Sequence, residues 1–376
     1  MKKIILFMKK EAVLDAALFL AFLSLLFVKP DREYLNYIDY RTIGLLFSLM
    51  SVMAGLQKLG VFYAVGRDLL RRVRGRTAVG AVLVYLCFFS SMLITNDVAL
   101  ITFVPFGITV LKMAETEELT APVVILQTVA ANLGSMLTPI GNPQNLYLYS
   151  RAGVSAWEFL LLMLPYTVVS FLLLTFCLTV LGRRGVKERE EKERSAEWTE
   201  ENHPVPAGPV IRYILLFLLA AASVARVLPW QVCATAVAAV LFVTDRDVFR
   251  FVDYSLLLTF AAFFIFIGNM GRIPAFASFL NEIIGGHETA TAVAASQIIS
   301  NVPTALLLSG FTDKYQALIV GTNLGGLGTM IASMASLISY KYIARQYPEK
   351  KRSYLIWFTA VNGGFLAVLM ACTRFF

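Results

Sequence analysis

The chain reads as an all-α polytopic membrane protein: inverted repeats with two re-entrant helical hairpins and two broken transmembrane helices. Three observations predict this. Of 376 residues, 58% are hydrophobic and 15% charged, and mean hydropathy is +0.69, which leaves too little polar surface to coat a water-soluble globule of this length. Apolar runs near the roughly 20 residues that a spanning helix needs recur along the whole length, so residues 1–376 are read as a single integral membrane domain. Two stretches, Asn132 to Leu146 and Asn323 to Leu337, place polar and helix-breaking residues inside apolar sequence, and six of their fifteen positions coincide at a constant offset of 191.

Taken in order, Lys2, Lys3, Lys9 and Lys10 precede the apolar stretch 12–28. Basic residues flanking spans favour the cytoplasm, which sets the N-terminus inside. Lys29-Pro30-Asp31-Arg32 follows with no small-residue cleavage site, so the stretch is expected to be a retained first helix. Helix 41–60 returns to a segment with five arginines between Arg67 and Arg76, an inward signal. Residues 78–113 form two short apolar pieces broken at Thr95-Asn96-Asp97, apt for a re-entrant hairpin from the cytoplasm. Interrupted helix 120–150 crosses outward, and helix 157–181 comes back to the polar segment 182–209, a solvated cytoplasmic linker.

Helices 210–228 and 231–244 make a round trip, with Arg246 and Arg250 marking the return inside. Asp253-Tyr254 then echoes Asp39-Tyr40 and opens the second half. Helix 254–272 runs outward, hairpin 288–311 breaks at Ser300-Asn301-Val302-Pro303, interrupted helix 315–345 crosses back, and helix 353–372 ends outside. The expected organisation is a first repeat with its leading helix at 12–181, the linker at 182–209, a connecting helix at 210–230 and a second repeat at 231–372. The halves start on opposite sides, so the repeats are inverted and the C-terminus is external.

Irregular backbone at membrane depth is tolerated only where protein or a water-filled cavity satisfies it, so the four breaks are expected to share one cavity. A half-helix start exposes N–H groups carrying about half a positive charge, and four starts near Val98, Val302, Gly141 and Ala332 would suit an anion, while the preceding carbonyl ends would suit a cation. Asn96 and Asn301 occupy matching places in the hairpin breaks, as do Thr95 and Ser300. As ordinary caps they need no ligand; at a cavity they serve as both. Asp97 is the one acidic residue from Val79 through Lys112. A carboxylate there is costly unless paired, hydrated or protonated, which marks it as a coupling group that binds a proton or cation. Gly141, Asn142 and Asn145 in the Gly-Asn-Pro-Gln-Asn run, with Thr329 and Ser333 in the second break, complete the expected substrate and ion site. Lys58 and Arg272 are expected to snorkel to the interface, and Gln57, Gln127 and Gln297 are further polar candidates.

Other classes are poorly served. Cys87, Cys177, Cys233 and Cys372 lie in apolar segments without metal-like spacing, and His203 and His287 lack a second ligand nearby, so no metal site and no cofactor are expected. The net charge of +8 sits mainly in loops and is read as topology, not as nucleic-acid binding. No His-Glu-x-x-His helix or nucleophile elbow points to an enzyme.

The Thr95-Asn96-Asp97-Val98-Ala99-Leu100 turn, the Thr138-Pro139-Ile140-Gly141-Asn142-Pro143-Gln144-Asn145 break and the Ser300-Asn301-Val302-Pro303 turn together resemble the ion transporter superfamily. The likeness is to its arsenite-permease and citrate-transporter branch of small inner-membrane permeases, and more distantly to the divalent anion:sodium symporters. It covers roughly residues 40–372. The resemblance implies a homodimer in the cell (inner) membrane, in which each protomer moves a transport portion against a scaffold by an elevator mechanism. It implies a secondary active transporter for a small anion or metalloid oxyanion, driven by H+ or Na+. Sodium, if it is the coupling ion, would sit near Asn96, Asp97 and Asn301. The sodium-dicarboxylate members carry a threonine third in each hairpin turn, where this chain has Asp97 and Val302. The Asn-Asp turn is more similar to the arsenite-permease pattern, which suggests proton coupling. The alternative is a sodium/proton-type cation antiporter, because the same cavity could bind a cation directly.

Overall fold

The computed structural model describes residues 12–73, 75–114, 116–186 and 205–376. The four N-terminal lysines, Arg74, His203 and residues 187–204 of the expected linker lie outside them. Among the described residues every regular element is helical. Five helices there are long and apolar enough to cross a membrane, or six if one bent pair is counted as a span. The multi-pass membrane class is therefore realised in the fold.

The first half opens with α1 (Ala12–Ser24), the single turn α2 (Tyr34–Tyr37) and α3 (Tyr40–Lys58). Helix α4 (Val61–Leu70) continues α3 after a bend of 54°. Gly60 takes φ 72 at that bend, a conformation that costs glycine nothing. The hairpin pairs α5 (Arg76–Ser90) with α6 (Asn96–Met113), the broken helix is α7 (Thr120–Ser135) and α8 (Pro143–Ala152), and α9 (Ala156–Val186) closes the half. After α10 (Ala207–Val224) and α11 (Trp230–Thr244), the same order recurs. It runs α12 (Tyr254–Gly271), α13 (Pro274–Ile284), a hairpin of α14 (Glu288–Ile299) and α15 (Asn301–Leu308), a broken helix of α16 (Tyr315–Leu324) and α17 (Met334–Gln346), and α18 (Lys351–Cys372).

The correspondence reaches individual caps. Asp39 starts α3 with φ −79 and ψ 85 and accepts from Thr42 N at 3.0 Å. Asp253 starts α12 with φ −79 and ψ 83 and accepts from Leu256 N at 3.0 Å.

Helix α7 is buried around almost its whole circumference, as a helix at the centre of a bundle must be. Around it pack α5, α6, α9, α17 and α18. On α9, by contrast, Leu161, Leu164, Val168, Leu172 and Phe176 form an exposed apolar stripe at helical spacing, the pattern of a helix side that meets lipid or another apolar surface.

Four expectations shift. Helices α4 and α13 were not foreseen, because a short segment beside a span resembles loop in composition. The first hairpin breaks over residues 91–95, so Asn96 begins α6 and does not lie in the unwound part. The half-helices after the two long breaks start at Pro143 and Met334, two residues beyond Gly141 and Ala332. Lys58 and Arg272 do more than reach outward. Lys58 Nζ lies 2.6 Å from Asp245 Oδ1, and Arg272 Nη1 lies 2.7 Å from Asp31 Oδ2.

Candidate functional site

Each hairpin tip docks on the break that follows it. Asn96 N–H donates to Gly141 O at 3.2 Å, and Asn301 N–H donates to Ala332 O at 3.0 Å. A helix leaves its first N–H groups without internal partners, and here the unwound strand of the neighbouring break supplies a carbonyl to one of them.

The first break is held by close backbone approach. A Cβ on Gly141 would collide with Ser135 O, and one on Gly134 with Phe88 O. Asn142 caps α8 by accepting from Asn145 N at 2.8 Å. Asn145 Nδ2 donates to the carbonyls of Ser135, Met136 and Thr138 at 3.3, 3.3 and 3.1 Å. It is fully buried and spends its amide on stitching the break, so it does not line the adjoining cavity.

Side chains then join the halves. Asn142 Nδ2 donates to Asn323 Oδ1 at 3.1 Å, and Asn323 Nδ2 donates to Asn145 Oδ1 at 2.6 Å. Asn132 Oδ1 accepts from Asn96 Nδ2 at 3.0 Å and from Ser333 Oγ at 3.1 Å. Sequence reasoning passed over Asn132 and Asn323 as site residues. Their signal was the offset of 191 that they share.

A cavity of about 130 Å³ lies between α3 and the first hairpin tip. Its polar lining comes from Gln57, Thr95, Asp97, Asn142 and Asp253. Asp97 follows the tip: its N–H donates to Asn96 Oδ1 at 3.0 Å, while its Oδ1 is buried without a hydrogen-bond partner among the described residues. Two carboxylates thus face one small cavity, an arrangement that favours a proton or cation between them.

The second half is built differently. Ser300 is the single residue between α14 and α15, at φ 72 and ψ 155, a region nearly reserved for glycine that costs on the order of 1–3 kcal/mol. Thr95, its counterpart, is relaxed at φ −65 and ψ 148. Neither Ser300 nor Ser333 caps the helix it precedes with its side chain. Ser300 Oγ turns to Ala332 O at 3.4 Å. Asn301 is 4% exposed, and no hydrogen bond to its side chain is present among the described residues. Thr329 is tied to Gln297: its N–H donates to Gln297 Oε1 at 2.9 Å, and Gln297 Nε2 holds the carbonyls of Gly325 and Leu327 at 3.0 and 2.9 Å. Gln127 instead ties α7 to the body of the first hairpin, donating to Phe103 O at 3.0 Å.

The structure therefore gathers Asn96, Asp97, Gly141, Asn142, Asn145 and Ser333 into one connected junction. Ser300, Asn301 and Thr329 form the second hairpin's side of it. Among the described residues no group of three or more His, Cys, Asp or Glu side chains is placed to hold a metal ion.

Comparison with known proteins adds an independent line. The model of the citrate transporter family matches residues 4–316. An inner membrane protein of Escherichia coli is 32% identical over 314 residues, covering 81% of this chain and 80% of its own length. An uncharacterized transporter of Methanocaldococcus jannaschii is 30% identical over 339 residues, covering 87% and 90%. A silicon efflux transporter of rice (Oryza sativa subsp. japonica) is 35% identical over 155 residues, 41% of this chain and 30% of the relative.

Proposed function

The chain belongs to the citrate transporter family, whose relatives are membrane transporters and not enzymes, and on that premise we propose a secondary active transporter that moves a small anion or metalloid oxyanion, coupled to a proton or sodium gradient. The single observation that carries this reading is Asp97. Its buried carboxylate oxygen lacks a partner where the first hairpin tip meets the cavity. An unpaired carboxylate in apolar surroundings is tolerable when a proton or cation neutralises it for part of the cycle.

The two halves divide the work. In the first, Asn142 caps α8 with its side chain and the coupling carboxylate stands in the first turn of α6. The second leaves the starts of α15 and α17 without side-chain caps and the Asn301 amide free, which suits an anionic or polar solute. Thr95, Asn96, Asn142, Ser300, Asn301, Thr329 and Ser333 are the contacts of this site. The rice relative supports including metalloid oxyanions among candidate cargoes.

The repeated order of elements supports inverted repeats with re-entrant hairpins, in a homodimer that works by an elevator movement. The N-terminus is cytoplasmic and the C-terminus external. Asp97 and Asp253 sharing one cavity favours a second reading, a sodium/proton-type cation antiporter.

Proteoliposome uptake of citrate, arsenite and silicic acid under imposed proton or sodium gradients tests the proposal. Asp97→Asn should abolish gradient dependence while leaving the fold intact. Gradient dependence that survives the substitution removes Asp97 from coupling, and sodium–proton exchange with no anion supplied establishes the second reading instead.

A further inference from the structure

Helix α7 carries a second row of polar groups that the junction does not use. Thr128 stands four residues before Asn132, one turn along the same face of the helix. Its Oγ1 lies 2.7 Å from Ser339 Oγ on α17. Tyr354 of α18 faces Thr128, with its ring held by Tyr340 and Phe358. Ser336 Oγ, Tyr354 OH and Asn132 Nδ2 are all buried without a hydrogen-bond partner among the described residues. Ser336 is 0% and Tyr354 1% exposed, so bulk solvent does not satisfy them. Each such atom costs about 1–3 kcal/mol, and native proteins meet that cost with ordered water or an ion. Thr128 and Ser339 bond to each other, so the seam offers a line of hydroxyls and not a ring of oxygens around a cation.

The row has a direction. At the offset of 191, Thr128 and Ser339 correspond to Ile319 and Leu148, both fully buried and apolar. Along this seam the polar groups lead from the junction toward the end of the bundle that carries Glu117 and Tyr347. One turn further that way stand Val124 and Ile343, both 0% exposed. Beyond them lie Thr120 and Tyr347, whose hydroxyl donates to Glu117 Oε2 at 3.3 Å in exposed surroundings.

We propose that Asn132, Ser336, Thr128, Ser339 and Tyr354 hold a file of water that passes protons between the central junction and the face at Glu117 and Tyr347, gated by Val124 and Ile343. Each oxygen accepts one proton and releases another, so nothing is oxidised or reduced. Asp97 is the terminal acceptor, reached past Asn96, which bonds Asn132. The inference rests on the coupling role proposed for Asp97 and names the proton as the coupling ion.

The test needs no cargo. In proteoliposomes with an entrapped pH dye and an imposed potassium diffusion potential, Ile343→Ser should speed acidification about tenfold, and adding Tyr354→Phe should return it to the native rate. A folded Ile343→Ser protein with native leak, or a leak indifferent to Tyr354→Phe, overturns the path. Should Ile343→Ser not fold, Val124→Ser replaces it. Hydroxyl-radical footprinting of the native protein decides in either case: Tyr354 should be oxidised about tenfold faster than the equally buried Tyr149, and equal rates overturn the proposal. Loss of coupling in Asp97→Asn together with either negative result leaves the transport reading standing and the path refuted.

Discussion

The side-chain amide of Asn142 donates to Oδ1 of Asn323 at 3.1 Å, joining the two broken helices through residues 181 apart in sequence. Asn323 returns a bond to Asn145 at 2.6 Å, so three amides close a buried network between the halves. Removing one member leaves the others unsatisfied in a low-dielectric interior. Asn323→Ala should lower stability by about 1–3 kcal/mol. A thermal-unfolding double-mutant cycle with Asn142→Ala should show coupling above about 0.5 kcal/mol; simple additivity would mean the bond contributes little.

Asn96 and Asn301 match in sequence and differ in energetic role. Asn96 is bonded to Asn132 and to Asp97 N–H, whereas Asn301 spends only its backbone N–H, on Ala332 O. Asn96→Ala should therefore cost about 1–3 kcal/mol of stability. Asn301→Ala should leave the melting temperature nearly unchanged and weaken transport. Equal destabilisation by both would sink the distinction.

Ser300 holds a glycine-type conformation. Ser300→Gly should relieve strain and raise stability by about 1–3 kcal/mol. If the hydroxyl contacts cargo, transport falls as stability rises, and the two measurements on one variant separate strain from function.

Gly141→Ala drives a Cβ into Ser135 O, where backbone must move. Gly208 meets nothing within 4 Å. The first substitution should reduce the yield of folded protein sharply and the second should not, as read by gel filtration of the solubilised chains.

Asp31 has its carboxyl held below its ordinary value of 3.8, mainly by the Arg272 guanidinium. A lowered carboxylate stabilises the fold fully above its unfolded value, and that contribution is lost as pH falls through the folded value. Unfolding measured from neutral pH to below about 4 should show a low-pH loss that shrinks in Arg272→Gln. Both groups are exposed, so high salt should shrink it too.

Much of this was legible in the residues. Apolar runs located the long helices, the Asn-Leu-Gly repeat located the two broken helices, and Ser300-Asn301-Val302-Pro303 located the second hairpin turn, although only Ser300 of the four is outside a helix. Helices α4 and α13 escaped because a short amphipathic segment beside a span looks like loop in composition. Asn145 was expected at the cavity, yet its amide is consumed by three carbonyls of its own break. Side-chain type gives no sign of which neighbour will claim a donor.

The sequence by itself determined that the chain is a bundle of membrane helices interrupted at repeated places, because solvent class and helix breaking are local properties of composition and backbone chemistry. Only the tertiary structure decided which asparagines bind each other and which remain free, and that Asn142 caps the helix after its break while Ser333 does not. Those outcomes depend on distances between residues far apart in the chain, and a buried hydrogen bond exists only when both partners arrive within reach at the right angle.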